Sequence, residues 1–181
     1  MLYKNIILFG APGSGKGTQA KSIINKYNLI DITPGNILRD IINEKKHQYY
    51  NYIKETMERG NLVDISIIEY IVREKFSQSL IKKDFNGFLF DGFPRSIEQS
   101  NFLDSLMIEY NTKIKVAILL DVDIDILIDR IVNRYTCENC LSVYNKKTNP
   151  TKKNGICDLC GSEKFLFRND DNEETIKNRV D

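Results

Sequence analysis

A chain of 181 residues, 41% hydrophobic and 28% charged, has the composition of a soluble globular protein and room for one domain with an insertion around a substantial core. A formal charge of +1 gives no electrostatic argument for a nucleic-acid partner. No apolar run approaches the ~20 residues that span a bilayer, and the N-terminus lacks a signal peptide's charged segment and cleavage site, so the expectation is a cytoplasmic chain, off the membrane, with reduced thiols.

In chain order, the apolar run Asn5–Phe9 predicts a strand, and Ala20, Ile23, Ile24 and Tyr27 fall at helical spacing after it. Between them stands Gly10-Ala-Pro-Gly-Ser-Gly-Lys-Gly-Thr18. Strand, glycine-rich turn and helix form the context of a phosphate-binding loop, in which backbone N–H groups and the helix dipole face an anion. Lys16 adds a full positive charge for the β- and γ-phosphates. The usual hydroxyl after the lysine arrives one residue late, because position 17 is Gly and Thr18 follows. Leu29–Ile32 predicts a second strand, and Thr33 and Pro34 suit the N-cap and first turn of a helix carrying Ile37, Leu38, Ile41 and Ile42. A polar helix over Tyr49–Glu58 ends toward Gly60, and Asp64 caps the next, whose buried face holds Ile67, Ile68, Ile71, Val72 and Phe76.

Gly87–Asp91 is an apolar strand ending in a carboxylate, the place where open α/β sheets bind ligands. Asp91 there can hold Mg²⁺ that bridges transferred phosphates. Gly92-Phe-Pro-Arg95 and a helix over Ser96–Glu109 follow, then a strand at Ile114–Asp121 expected to be buried on both faces, then a helix from about Ile124 to Arg134. These alternating units predict an α/β fold: a P-loop NTPase-like parallel sheet with helices on both faces. Only eight arginines accompany 18 lysines, and Arg39, Arg95, Arg130, Arg134, Arg168 and Arg179 fall at loop–helix junctions or beside the polar segment that follows Arg134. Guanidinium groups grip phosphate bidentately, although a solvated surface role is open for any one of them alone. The single histidine, His47, reads as a surface residue in a polar stretch, which leaves no histidine relay for a nucleophile. Phosphoryl transfer to a phosphate acceptor needs none, since a monophosphate with a second pKa near ~6 is already anionic.

Cys137-x2-Cys140 and Cys157-x2-Cys160 are separated by 16 residues, a spacing that suits a four-thiolate zinc site with no open coordination position. Such a metal is structural and folds a segment too small for much core of its own. Free thiols, two disulfides or a nucleic-acid zinc ribbon are the other readings. Gly161 supplies the left-handed position expected after the second cysteine of a knuckle, where Leu141 stands in the first. Asn172–Asp181 resumes a helical pattern.

Taken together, Gly10–Thr18, Asp91-Gly-Phe-Pro-Arg95, Asp129-Arg-Ile-Val-Asn-Arg134, the four cysteines and Arg168-Asn-Asp-Asp-Asn-Glu-Glu174 resemble adenylate kinase of the long-lid, zinc-bearing type. The Gly-Lys-Gly-Thr form of the loop is typical of nucleoside monophosphate kinases. The resemblance implies ATP + AMP = 2 ADP with Mg²⁺ and a monomer that serves adenine nucleotide homeostasis. It implies that Gly13, Ser14, Gly15, Lys16, Gly17 and Thr18 cradle the ATP phosphates. Arg130, Arg134, Val143 and Tyr144 contact ATP, and Arg39, Asn61, Leu62, Val63, Gly92, Phe93, Pro94, Arg95 and Gln99 bind AMP. Arg168 and Arg179 reach the phosphates, and Asp91 orders the metal. The implied organisation is a P-loop core (1–32, 64–132 and 172–181), a helical AMP-binding insertion (33–63) and a lid with the zinc site (133–171). Pro34 stands where the family usually has Thr, so one AMP contact is missing, and Asn36 stands where it usually has Asp. The family pattern continues beyond position 181 with a strand and a helix, from which weak or absent activity of this chain is the expectation. A GTP:AMP or UMP/CMP kinase, or a nucleotide-binding chain with little activity, is the alternative.

Overall fold

The computed structural model describes residues 4–59, 61–81, 84–140 and 142–167. Contacts group the chain into two units, Met1–Phe9 with Gln19–Leu119, and Gly10–Thr18 with Leu120–Asp181.

In the first unit, the apolar runs become β1 (Asn5–Gly10), β2 (Ile30–Ile32) and β3 (Phe88–Asp91), joined by β4 (Ile114–Leu120) in the order β2-β3-β1-β4. β3 lies parallel to both β1 and β2, with Leu8 opposite Asp91 and Ile32 opposite Phe90. The crossovers are α1 (Lys16–Tyr27), α2 (Pro34–Glu44), α3 (Tyr50–Glu58), α4 (Ile65–Leu80) and α5 (Ile97–Glu109). α4 and α5 begin as the sequence suggests: Asp64 accepts from the Ser66 N–H and Ser96 from the Gln99 N–H. The Ser66 hydroxyl and N–H hold the Asp64 carboxyl below its usual range. The core of this unit packs α2 to α5 against the sheet around Phe76, Phe88, Phe90 and Phe93, with Phe76 stacked on Phe88 at 4.1 Å.

Buried inside the first strand is Asn5, a polar residue in an apolar run. Its amide donates to Thr112 Oγ1 at 2.9 Å and to the Lys113 carbonyl at 3.2 Å, while its carbonyl accepts from the Phe88 N–H at 3.2 Å. These bonds satisfy a group whose burial would otherwise cost on the order of 1–3 kcal/mol, and they fix β1 against β3 just upstream of the loop.

The second unit carries α6 (Ile124–Val132) and a small antiparallel sheet, β5 (Arg134–Cys137), β6 (Val143–Asn145) and β7 (Phe165–Leu166), in the order β6-β5-β7. Tyr135 stacks on Tyr144 at 5.5 Å and Phe165 meets both rings edge-on, so the polar segment has an aromatic core of its own.

Four expectations are corrected. β4 is not buried on both faces: Val116 is 43% and Leu119 66% exposed, and among the described residues the strand stands at one edge of the sheet. An apolar run shows that residues suit burial, not that an element covers them. α6 stops at Val132 because Asn133 turns its amide back onto the Asp129 carbonyl at 2.8 Å, and Arg134 opens β5. Thr33 occupies the N-cap of α2 but makes no side-chain cap bond. His47 is only partly at the surface, since its ring is 16% exposed and its Nε2 lies 3.0 Å from Glu74 Oε2. Gly60, Leu141 and the helix expected over Asn172–Asp181 lie outside the described residues.

Candidate functional site

The glycine-rich loop leaves β1 through Gly10 (φ +149°), Gly13 (φ +80°) and Gly15 (φ +95°). At Gly13 the backbone also runs close to α6: a Cβ there would lie 2.6 Å from Ile131 Cγ1 and 2.9 Å from its Cδ1. Lys16 Nζ donates back to the Gly10 carbonyl at 2.5 Å and the Ala11 carbonyl at 2.9 Å. The ammonium thus closes the loop around its own charge, at the first residue of α1. Ser14 Oγ is buried and has no hydrogen-bond partner. A concave backbone turn, a cation and a helix N-terminus make an anion cradle.

Within the first unit, Asp91 ends β3 and Gly92 (φ +65°) turns the chain. Arg95 folds back so that its Nε donates to the Gly92 carbonyl at 2.7 Å, and a Cβ on residue 92 would lie 2.8 Å from its Nη2. Gln99 Oε1 accepts from the Arg95 N–H at 2.7 Å, which leaves its amide NH₂ to donate elsewhere. Phe93 and Pro94 are buried beneath this turn. On α2, Arg39 donates to Asn36 Oδ1 at 2.5 Å. Asn61 and Leu62 are exposed, whereas Val63 packs on the core.

In the second unit, Arg130 is exposed on α6, Arg134 is half-buried and pairs with Asn145 across β5 and β6, and Val143 and Tyr144 lie on β6. Asn145 is a staple that the sequence reading missed. Its amide donates to the Arg130 carbonyl at 3.1 Å, and its Oδ1 accepts from the N–H groups of Lys147 and Thr148 at 2.8 and 2.9 Å. A buried asparagine in a polar stretch has no signal in a single sequence.

The four cysteine sulfurs lie within 4.8 Å of one another. Cys137 and Cys160 are 3.6 Å apart and Cys140 and Cys157 3.4 Å, far beyond a disulfide bond and near the ~3.8 Å between ligands of a tetrahedral Zn–S site. The donor set and its spacing therefore fit Zn²⁺. Cys157 is pushed down to about 6 by the Tyr144 hydroxyl, which in turn is raised to about 12. The Ser142 hydroxyl and N–H lower Cys140. Thiolates are the zinc-binding form. Gly161 takes φ +72° and its N–H closes the knuckle onto the Cys157 carbonyl at 2.9 Å.

A family model for adenylate kinase matches residues 8–181. The chain belongs to the adenylate kinase family. It is 40% identical over 177 residues to adenylate kinase of Lactococcus lactis subsp. lactis (strain IL1403), covering 98% of this chain and 81% of that one. Adenylate kinases of Paracoccus denitrificans (strain Pd 1222) and Geobacillus sp. (strain WCH70) are each 42% identical, over 97% and 98% of this chain and 78% and 80% of theirs. Membership in the adenylate kinase family makes the chain a nucleoside monophosphate kinase, a phosphotransferase, and the parallel sheet with its glycine loop agrees with the P-loop NTPase fold of such enzymes. Among the described residues no helix is long and apolar enough to cross a membrane. Arg168 and Arg179 lie outside the described residues.

Proposed function

We propose that the chain transfers the terminal phosphoryl group of ATP to AMP, giving two ADP, with the residue roles that the family motifs suggest. Residues Gly13–Thr18 bind the donor phosphates, with Lys16 balancing the charge of the β- and γ-phosphates. Arg130, Arg134, Val143 and Tyr144 contact ATP. Arg39, Asn61–Val63, Gly92–Arg95 and Gln99 hold AMP, and Arg168 and Arg179 join them at the phosphates. Mg²⁺, ordered by Asp91, would supply charge neutralisation at the transferred group. The observation that carries the reading is the loop, whose positive-φ glycines and inward-bent Lys16 build an anion cradle at the N-terminus of α1.

In the transfer, an AMP phosphate oxygen forms a bond to the γ-phosphorus as the bond to the β–γ bridging oxygen breaks. The acceptor is already mostly dianionic near neutral pH, so no side chain has to take a proton. What the protein supplies is in-line positioning and cations where charge spreads. Water competes with AMP as acceptor, which is why mobile enclosure by 33–63 and by the lid, 133–171, around a core of 1–32, 64–132 and 172–181 belongs to the proposal. Zn²⁺ on Cys137, Cys140, Cys157 and Cys160 would brace the lid, with no part in the chemistry. A monomer in the cytoplasm, with neither nucleic acid nor membrane as partner, completes it.

The test is initial rates with AMP, UMP, CMP and GMP against ATP and GTP, beside Arg95→Ala. AMP with ATP should be fastest, and Arg95→Ala should lower turnover by ~10²-fold or more with the fold intact, as expected on losing a group that meets developing charge. Preference for another monophosphate overturns the substrate assignment, and normal turnover of the variant removes Arg95 from the mechanism.

A further inference from the structure

The start of α2 differs from those of α4 and α5, whose N-cap side chains bond their own first turns. Thr33 stands at the N-cap, yet its hydroxyl donates to Asp31 Oδ1 and makes no cap bond. Asp31 Oδ2 accepts from Asn36 Nδ2 at 3.1 Å, and Asn36 Oδ1 accepts from Arg39 Nη2 at 2.5 Å. The guanidinium lies along the first turn of the helix, where a Cβ on Gly35 would be 3.6 and 3.7 Å from its two terminal nitrogens. The amide orientation of Asn36 follows from chemistry, since a guanidinium only donates and an ionised carboxylate only accepts.

We propose that Asp31 and Asn36 are positioning residues that aim the Arg39 guanidinium at the phosphate of the acceptor nucleotide. This rests on the reading that Arg39 meets AMP. Asn36 cannot hold the arginine firmly alone, because a free amide flips and turns on its own χ angles. Asp31 removes that freedom. Its two oxygens are taken by Thr33 and Asn36, and it sits on β2 beside the buried Ile32, in register with Leu89 of β3. Both bonds of the amide are charge-assisted and polarise it in the same sense, with NH₂ toward the anion and carbonyl toward the cation. Here the carboxylate sits on the strand at Asp31, and the neutral amide of Asn36 passes on its constraint.

The test compares Asn36→Ala, Asp31→Ala, the double variant, Asp31→Asn and Arg39→Ala in the full chain. The readouts are KM for AMP, KM for ATP, kcat, Tm and calorimetric titration with AMP, the last independent of turnover. Asn36→Ala and Asp31→Ala should each raise the AMP KM and dissociation constant by about three- to tenfold, the net scale of one ordinary hydrogen bond, since the arginine loses its aim but not its charge. ATP KM should stay within about twofold. The double variant should be no worse than Asn36→Ala, because Asp31 acts through Asn36. Asp31→Asn, which keeps an acceptor, should recover most of the loss. An unchanged AMP affinity in Asn36→Ala beside a weakened Arg39→Ala overturns the relay alone, as do additive single effects or a fall in Tm without a change in AMP affinity. Unchanged AMP affinity in Arg39→Ala overturns the placement of Arg39 at AMP, and the relay with it.

Discussion

Gly13 and Gly15 sit two residues apart in the same loop with similar positive φ, and they should respond differently to the same substitution. An alanine at either position must adopt a left-handed conformation, at about 1–2 kcal/mol. At Gly15 nothing lies within 4 Å of the added methyl, so the conformational cost is the whole effect. At Gly13 the methyl would meet Ile131 Cγ1 at 2.6 Å, Cδ1 at 2.9 Å and the Leu127 carbonyl at 3.2 Å. Ile131 is 1% exposed and Leu127 O belongs to the α6 backbone, so neither yields easily. Overpacking of this kind adds about 1–3 kcal/mol. Gly13→Ala should therefore cost about 2–5 kcal/mol against about 1–2 kcal/mol for Gly15→Ala. The difference corresponds to a further fall in Tm of roughly 2–12 °C at this chain length. Denaturant and thermal unfolding of the nucleotide-free protein read it. In an Ile131→Ala background, which removes both contacting carbons and leaves only the Leu127 carbonyl at 3.2 Å, the cost of Gly13→Ala should drop most of the way to the Gly15 level. Equal losses for the two alanines, or no coupling to Ile131, refute the packing argument and leave only backbone strain.

Removal of metal tests the lid. Elemental analysis should find one zinc per chain, and chelation or Cys157→Ser should abolish the near-UV signal of Tyr135 and Tyr144 and lower the lid's Tm by roughly 10 °C or more, since structural zinc supplies folding energy outright. A chain that keeps that signal without metal would show that the aromatic cluster suffices. A second test concerns His47, whose Nδ1 accepts from the Tyr49 N–H at 3.2 Å and whose Nε2 therefore carries the proton that it donates to Glu74. This pair ties the turn between α2 and α3 to α4, where Tyr49 also meets Tyr70 edge-on at 5.4 Å. A His47→Ala, Glu74→Ala double-mutant cycle should give a coupling of about 1 kcal/mol in denaturant unfolding. Additivity within about 0.3 kcal/mol would mean that the two do not cooperate.

Much of the first unit was legible because its elements obey local rules. Apolar runs bounded by turn residues gave β1, β2 and β3, and Asp64 announced the helix it caps. The cysteine spacing announced the thiolate cluster for a similar reason, since ligand geometry restricts the sequence. What stayed hidden depends on long-range pairing. The short strands β5, β6 and β7 carry two to four residues each, too few for a period, and their aromatic core appears only when Tyr135, Tyr144 and Phe165 converge. His47 looked solvated because its neighbours in sequence are polar, while the partners that shelter it, Glu74 and Tyr70, come from another helix. The exposure of β4 was hidden too, because strand composition does not state which element covers a face.

Several residues that break local rules lie among or beside those proposed to bind nucleotides. Thr33 gives up a helix cap to hold Asp31, Ser14 keeps a buried hydroxyl unpaired, and the loop bends through positive φ at Gly13 and Gly15. Arg95 curls onto Gly92, where a Cβ would lie 2.8 Å from its Nη2 and the guanidinium would have to shift. Of these, the unpaired buried Ser14 hydroxyl carries a clear cost to folding. Asp64 and Ser96 make the contrast within the same unit. They begin helices whose first turns carry no proposed phosphate contact from the cap itself, and both cap as chemistry would dictate. Thr33 begins the helix that carries Arg39, and it alone of the three turns its side chain away from the helix and toward the carboxylate that steadies that arginine.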